Sequence, residues 1–226
     1  MSGAQRIERI SENITLYQGD SREIVPTLKN VDAIVTDPPY GIGAGKMSFG
    51  KWRTSRMVKQ DWDDHAPNLE FLLSLEVPTI VWGGNYFDLP PSRAFLVWNK
   101  GGGFKGRDFA ECELAWCSFD ANARVFDFDP LAKGAYKDKV HPTQKPIPLM
   151  FWCLQQIKGN PKLILDPYMG SGTTGVAAAR LKRGFVGIEL DPAHFDSSCR
   201  RISEELNKPD LFASPTPTPS TQTALF

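Results

Sequence analysis

A carboxylate, two prolines and a tyrosine follow an apolar run in the segment VDAIVTDPPYG, residues 31–41. The residues before Asp37 are mostly apolar and rich in β-branched side chains, which indicates a buried strand. Consecutive prolines fix two φ angles and remove two backbone donors, so Pro38 and Pro39 stiffen the chain where that strand ends. Sheets of the α/β class present their ligands at strand ends. We therefore expect Asp37 and Tyr40 to belong to a binding or catalytic site.

A second candidate site is the glycine-rich turn GSGTTG at 170–175. It follows an apolar strand pattern at 163–166 and opens a helix, the context in which G-x-G-x-x-G indicates close approach of the backbone to a ligand. The next strand pattern, 185–191, contains Glu189 where a carboxylate commonly binds ribose hydroxyls. Together these features predict a ligand that contains adenosine.

The acid between the strand and the glycines, Asp166, bears on the nature of that ligand. A pyrophosphate turn has no need of a carboxylate there, and a carboxylate suits a cation better than an anion. S-adenosylmethionine carries an ammonium and a sulfonium, so it fits better than the alternative, a nicotinamide dinucleotide. A P-loop is excluded because no Gly-Lys-Ser or Gly-Lys-Thr sequence follows.

Three segments in this order resemble the amino-group DNA methyltransferases in which the catalytic motif precedes the cofactor motif. They are DPPY at 37–40, HPTQKP at 141–146 and DPYMGSGTTGVAA at 166–178, and the resemblance extends over about residues 14–206. It implies an α/β, Rossmann-like, S-adenosylmethionine-dependent methyltransferase fold with a mostly parallel seven-stranded sheet and helices on both faces. It also implies S-adenosyl-L-methionine as the methyl donor and double-stranded DNA as the partner, with the target base flipped out of the duplex.

In such enzymes the DPPY segment would prepare an exocyclic amino group for methylation. The Asp37 carboxylate and the Pro38 carbonyl would accept its two hydrogens, Pro39 would hold that carbonyl in place, and Tyr40 would stack on the base. An aspartate at the head of the motif favours adenine N6 in this family. Cytosine N4 remains the alternative, followed by RNA or a protein amide as substrate.

The resemblance also assigns a set of residues to the cofactor. Asp166 would meet the methionine amine, Glu189 the ribose hydroxyls and Asp20 the adenine amino group, whereas His141 is only a weak candidate. The full set is Asp20, Lys145, Asp166, Tyr168, Gly170, Ser171, Gly172, Thr173 and Glu189.

The charges balance over the whole chain, with 26 basic and 26 acidic residues, so no global attraction to nucleic acid is expected. Basic residues nevertheless concentrate in a loop at 41–63, predicted to be mobile, and again at 99–145, which we interpret as the target-recognition region with a hairpin over 113–129. Lys100 is a further candidate for a phosphate contact. The residues expected to bind DNA are Lys46, Lys51, Trp52, Arg53, Arg56, Lys105 and Arg107.

The sequence predicts one methyltransferase domain at 1–207 and a disordered Pro/Thr/Ser-rich tail at 208–226. The four cysteines form no C-x-x-C pair, so we expect reduced thiols and no metal site. No apolar run is long enough to span a bilayer and no signal region opens the chain, which predicts a cytoplasmic protein. A second copy of the chain is a candidate partner, and a restriction endonuclease would be the partner in a restriction-modification system.

Overall fold

The computed structural model of the chain describes residues 3–43, 63, 65–106, 110–134 and 144–208. In these ranges the strands are β1 (Ala4–Ser11), β2 (Ile14–Gly19), β3 (Ala33–Thr36), β4 (Thr79–Trp82), β5 (Phe95–Asn99), β6 (Cys112–Cys117), β7 (Arg124–Asp127), β8 (Leu163–Asp166) and β9 (Gly184–Glu189). The helices are α1 (Ser21–Ile24), α2 (Glu70–Leu73), α3 (Ile147–Gln156), α4 (Thr173–Arg180) and α5 (Pro192–Leu206).

All nine strands of the described ranges join one sheet in the order β1-β2-β9-β8-β3-β4-β6-β5-β7. Strands β2, β9, β8, β3 and β4 run parallel to one another, and β7 runs parallel to β5. Antiparallel pairing is confined to β1 with β2 and to β6 with its two neighbours. The prediction of a mostly parallel α/β sheet is confirmed, whereas the predicted number of seven strands is wrong.

The predicted hairpin over 113–129 is also wrong. Strand β6 pairs with β4 and β5, and β7 pairs in parallel with β5, where Leu96 lies opposite Arg124. Alternation of apolar residues predicts that a segment is a strand, but it does not depend on which strand lies next to it. The pattern at 113–129 therefore predicts two strands and not their pairing partners. Strand β1 escaped prediction because its sequence, AQRIERIS, is mostly polar and lies exposed at the edge of the sheet.

Helices cover both faces of the sheet, as predicted. Neighbouring residues of one strand divide between two cores, with Val35 in the first and Ile34 in the second. The first core takes residues from α3, α4 and α5, namely Leu149, Met150, Val176, Ala177, Phe195 and Ile202. The second takes Ile24 from α1 and Leu72 from α2. The central strands are buried on both sides, which explains their continuous apolar sequences.

Helix α5 begins with a side-chain cap and a proline. The Asp191 carboxylate accepts hydrogen bonds from the backbone N–H groups of Ala193, at 2.8 Å, and His194, at 2.9 Å, while Pro192 occupies the first helical position. All four cysteines are free thiols. Among the described residues no helix is long and apolar enough to cross a membrane.

Candidate active site

Parallel strands bring distant parts of the chain together at one edge of the sheet. Asp20 follows β2, Asp166 and Glu189 end β8 and β9, and Asp37 follows β3. The order of these parallel strands places all four carboxylates along the same edge. Ligands of open α/β sheets bind at this carboxyl edge.

Asp37 holds two hydrogen bonds from side chains. The Tyr40 hydroxyl donates to Oδ1 at 2.6 Å, and the Lys145 ammonium donates to Oδ2 at 2.6 Å. The Asp37 side chain as a whole remains 21% exposed. Burial raises the pKa of Asp37 above its ordinary value, and the ammonium of Lys145 acts against that rise.

Tyr40 lies among aromatic rings. It stacks on Tyr86 with ring centroids 4.9 Å apart and an interplanar angle of 14°, and it meets Phe87 edge-on. Gly83, with φ +69°, admits the ring, because a Cβ there would lie 2.2 Å from Cε1 of Tyr40. Burial raises the pKa of Tyr40 well above its ordinary value, so the hydroxyl stays protonated and donates to Asp37.

Lys145, predicted to meet the cofactor, lies against the DPPY segment, and its predicted role stays a prediction. Its ammonium is 2.6 Å from Asp37 and 3.0 Å from Glu113, and Glu113 in turn is 2.6 Å from the Lys100 ammonium. Lys145 is 5% exposed and Lys100 8%. Lys100 is therefore committed to an internal ion pair, which contradicts its interpretation as a phosphate contact.

The charges of this cluster depend on one another. Burial alone would raise the pKa of Glu113, but the ammoniums of Lys145 and Lys100 outweigh it and bring that pKa to about 2. Burial acts to lower the pKa of Lys145, yet Asp37 and Glu113 raise it well above its ordinary value. Glu113 and Lys145 thus keep their opposite charges at neutral pH.

Asp166 is buried among neutral donors. Its Oδ1 accepts from the Thr36 hydroxyl at 2.8 Å and from the Tyr168 N–H at 3.1 Å, and its Oδ2 accepts from the Thr174 hydroxyl at 2.6 Å. Burial raises the pKa of Asp166 to about 6, despite these hydrogen bonds. Thr36 directly precedes Asp37, so one hydrogen bond links the end of β3 to the end of β8.

Backbone N–H groups hold the Glu189 carboxylate within the described ranges. It accepts from the Gly170 N–H at 2.9 Å and from the Asp191 N–H at 2.8 Å, and burial raises its pKa to about 7. Neither Glu189 nor Asp166 has a cationic partner among the described residues. Their hydrogen-bond donors there are hydroxyls and backbone N–H groups.

The three glycines of the turn serve different ends. Gly170 has φ +52° and faces open space, since a Cβ there would meet nothing within 4 Å. At Gly172 a Cβ would lie 2.8 Å from Cβ of Ser198, and at Gly175 it would lie 2.5 Å from Cδ1 of Ile202. The last two glycines therefore permit close packing against α5, and only Gly170 leaves space for a ligand.

An arginine from α5 fixes the glycine turn. Arg201 donates to the carbonyl and, at 2.8 Å, to the hydroxyl of Ser171, and to the Thr173 hydroxyl at 3.3 Å. Ser171 also donates to the Gln144 side chain at 3.2 Å. Gln144 immediately precedes Lys145, so this short segment touches both the glycine turn and the DPPY segment.

Asp20 and Tyr168 complete the predicted cofactor residues. Asp20 caps α1 by accepting from the Arg22 N–H at 2.9 Å, and it pairs with the Arg22 guanidinium at 2.6 Å. This partner lowers the pKa of Asp20. Tyr168 lies half-buried beside the glycine turn. The predicted roles of both residues stay predictions.

Most of the residues predicted to bind DNA lie outside the described ranges. These are Lys46, Lys51, Trp52, Arg53, Arg56 and Arg107, and His141 lies outside them as well. Lys105 is described and exposed. The described residues contain no cluster of His, Cys, Asp and Glu that could hold a metal ion.

Sequence reasoning missed Glu113 as a member of the site. The available signal was a carboxylate at the start of an otherwise apolar strand, CELAWC. Because β6 runs antiparallel, its first residues reach the edge where its neighbours end. That direction cannot be read from the strand's own sequence.

The chain is similar in sequence to known DNA methyltransferases. The family model of the N6/N4 methyltransferases, described as DNA methylase, matches residues 116–200. The type II methyltransferase M2.LlaDCHI of Lactococcus lactis subsp. cremoris is 25% identical over 244 residues, which covers 85% of this chain and 90% of that protein. The type II methyltransferase M.HinfI of Haemophilus influenzae is 25% identical over 245 residues, covering 84% of this chain and 68% of that protein.

Solved structures share the fold. The M1.HpyAVI–SAM complex has a TM-score of 0.55 and 22% identity, covering 84% of this chain and 98% of that chain. The cytosine-N4-specific PvuII DNA methyltransferase has a TM-score of 0.50 and 16% identity, covering 87% and 92%. The matched family model and the relatives that span most of its length support assignment of the chain to the amino-group DNA methyltransferase family.

Proposed function

We propose that this chain is a site-specific DNA methyltransferase that transfers a methyl group from S-adenosylmethionine to N6 of an adenine turned out of the duplex. One observation carries the proposal. The hydroxyl of Thr36 donates to Asp166 at 2.8 Å, so the residue before Asp37 is bonded directly to the carboxylate before the glycine turn. Acceptor and donor chemistry therefore meet at adjacent strand ends.

The donor side suits a cation. Asp166 and Glu189 have no cationic partner in the described part of the chain, and burial disfavours their charged forms. A ligand that brings its own positive charge would stabilise both carboxylates. S-adenosylmethionine does so through its ammonium and sulfonium, and the open space at Gly170 lies beside Glu189, to which Gly170 donates.

The residues assigned to the donor have distinct tasks. Asp166 would attract the methionine ammonium, and Glu189 would accept hydrogen bonds from ribose hydroxyls while its backbone partners hold it in place. Asp20, at the next strand end, would accept from the adenine amino group. Ser171 and Thr173 line the turn, where Arg201 fixes them. The donor supplies the electrophilic methyl group.

The acceptor side suits a neutral amine that needs activation. The lone pair of an exocyclic amino group is delocalised into the ring, and hydrogen bonds to two oxygens localise it on nitrogen. Asp37 supplies one acceptor, because a carboxylate oxygen accepts more than one hydrogen bond and its present donors leave lone pairs free. The Pro38 carbonyl supplies the other.

Tyr40 of the DPPY segment would stack on the flipped base. Its ring is now covered by Tyr86 at 4.9 Å, which leaves no room for a third ring between them. Tyr86 is 44% exposed, so it can turn away when a base enters on that face. Base–aromatic stacking contributes roughly 1–3 kcal/mol, which offsets part of the cost of flipping.

Product analysis tests the proposal. The purified chain is incubated with donor carrying a labelled methyl group and with unmethylated DNA, RNA or protein. The nucleosides or amino acids released by digestion are then separated and identified by mass spectrometry. We expect label in N6-methyladenine of double-stranded DNA and none with Asp37→Ala. Label in N4-methylcytosine would overturn the choice of base, and label only in RNA or protein would overturn DNA as substrate.

A further inference from the structure

Four buried or half-buried side chains form a row of alternating charge at the carboxyl edge of the sheet. Lys100 follows β5, Glu113 lies at the start of β6, Lys145 precedes α3, and Asp37 follows β3. Successive charged atoms are 2.6, 3.0 and 2.6 Å apart. Two positive and two negative charges cancel, so the row is neutral as a whole.

Such a row is costly to interrupt. An ion removed from water needs a nearby counter-charge, and removal of one partner leaves the other uncompensated. Lys145 touches carboxylates on two sides, Asp37 and Glu113, and its ammonium also lies 5.4 Å from the ring centroid of Tyr40 and 5.7 Å from that of Trp82. Its ammonium is thus fixed in direction by several elements.

In the described part of the chain, Glu113 acts on the DPPY segment through Lys145 rather than by a direct hydrogen bond, and it sets the charge next to that segment. Without Glu113, Lys145 and Lys100 would face the single carboxylate of Asp37, and the row would carry one net positive charge. During methyl transfer, positive charge moves from sulfur to the amino nitrogen, so a positive neighbourhood opposes the reaction.

Given the proposed function, on which this inference rests, we propose that Glu113 is a positioning residue for methyl transfer. It shares the ammonium of Lys145 with Asp37, so Lys145 orients the Asp37 carboxylate without cancelling its charge. Asp37 thereby remains an acceptor for the amino group and a counter-charge for the cation that forms there. Lys100 in turn holds Glu113 and balances its charge.

The test compares Glu113→Gln with the wild type in steady-state methylation and in donor binding by calorimetry. One positioned electrostatic group is worth roughly 10²-fold in kcat, and we expect a loss of that size with KM for DNA and Kd for donor changed only a few fold. A matched control is Glu205→Gln. Glu205 also bridges two cations, Arg180 at 2.6 Å and Lys208 at 2.7 Å, but at the C-terminal end of α5.

Second-site rescue separates charge from packing. The double variant Glu113→Gln/Lys100→Met restores a neutral row, and we expect it to recover at least part of the lost kcat. A merely structural glutamate would give two additive losses. If Glu113→Gln fails to fold, Glu113→Asp serves instead, because its shorter side chain cannot span both lysines and should lower kcat.

Two failures are distinguishable. A wild-type chain that methylates no DNA overturns the proposed function. A wild-type chain that methylates DNA, with Glu113→Gln or Glu113→Asp at full kcat or with no recovery in the double variant, overturns the role of Glu113 alone.

Discussion

The two halves of the proposed active site surround their carboxylates with opposite kinds of partner. On the acceptor side, Asp37 and Glu113 lie against lysine ammoniums at 2.6–3.0 Å. On the donor side, Asp166 and Glu189 accept from hydroxyls and backbone N–H groups, and no cation pairs with them in the part of the chain that the structure describes. The consequence appears in their pKa values, about 2 for Glu113 against about 7 for Glu189.

This difference shows what each half lacks. The acceptor half is electrically complete, as a pocket for a neutral base should be. The donor half holds one buried and one half-buried carboxylate, Asp166 and Glu189, whose pKa values desolvation raises, and a cationic ligand would complete it. The same chemical group, a carboxylate, thus suits a neutral ligand in one half and a cationic ligand in the other, because the neighbouring side chains differ.

Exchange of Asp37 for alanine should have the largest effect. It removes the acceptor for the amino group, so we expect kcat to fall roughly 10³-fold or more, while donor Kd stays within a few fold because the donor carboxylates remain. Single-turnover methylation and calorimetry measure the two quantities. The control is Asp196→Ala, an exposed carboxylate paired with Arg6 at 2.6 Å.

The result that would break the comparison is an Asp37→Ala enzyme that turns over normally, or one that loses donor binding and rate together. The first would remove Asp37 from the reaction. The second would mean that the Asp37 carboxylate also contributes to donor binding, so the two halves would not be separate.

Donor affinity should rise with pH. Glu189 has its pKa raised to about 7, so below that value it is protonated and accepts a ribose hydroxyl poorly. If the donor binds only the ionised form, Kd should weaken roughly 25-fold between pH 7.5 and 5.5. Calorimetry at several pH values measures this, and Glu189→Gln should bind weakly with a flatter profile. A flat profile in the wild type would contradict the assignment.

Stability of the donor-free protein should show the opposite sign. A carboxyl group whose pKa is raised on folding stabilises the folded state below its unfolded pKa, and that contribution is lost as pH rises through the folded value. For Asp166 and Glu189 the loss falls between about pH 4 and 7. Glu113 contributes the reverse, a stabilisation lost as pH falls from about 4.5 to 2. Urea unfolding without donor checks both signs.

Local sequence predicted one half of this arrangement better than the other. Strand ends at Asp37, Asp166 and Glu189 follow short apolar runs, so their positions are encoded by a few adjacent residues. The pairing of Glu113 with Lys145 depends on β6 lying between β4 and β5, which is a long-range property of the sheet. The direction of the Lys145 side chain depends on the same partners, so no local pattern could predict it.

The smallest effects should separate the glycines of the donor turn. Gly175→Ala puts a Cβ 2.5 Å from Ile202 and 2.7 Å from Phe185, so overpacking should lower the free energy of unfolding by about 1–3 kcal/mol and leave donor Kd of the folded protein unchanged. Gly170→Ala meets no atom, but its φ of +52° costs about 1–2 kcal/mol for alanine.

Because Gly170 faces the open space, its methyl group should also weaken donor binding a few fold, which Gly175→Ala should not do. Thermal unfolding and calorimetry on the same two variants measure the contrast. Equal donor affinity in both variants would show that the ligand does not approach the turn at Gly170. Loss of donor affinity in Gly175→Ala at full stability would show that the third glycine, too, lies against the ligand rather than against α5.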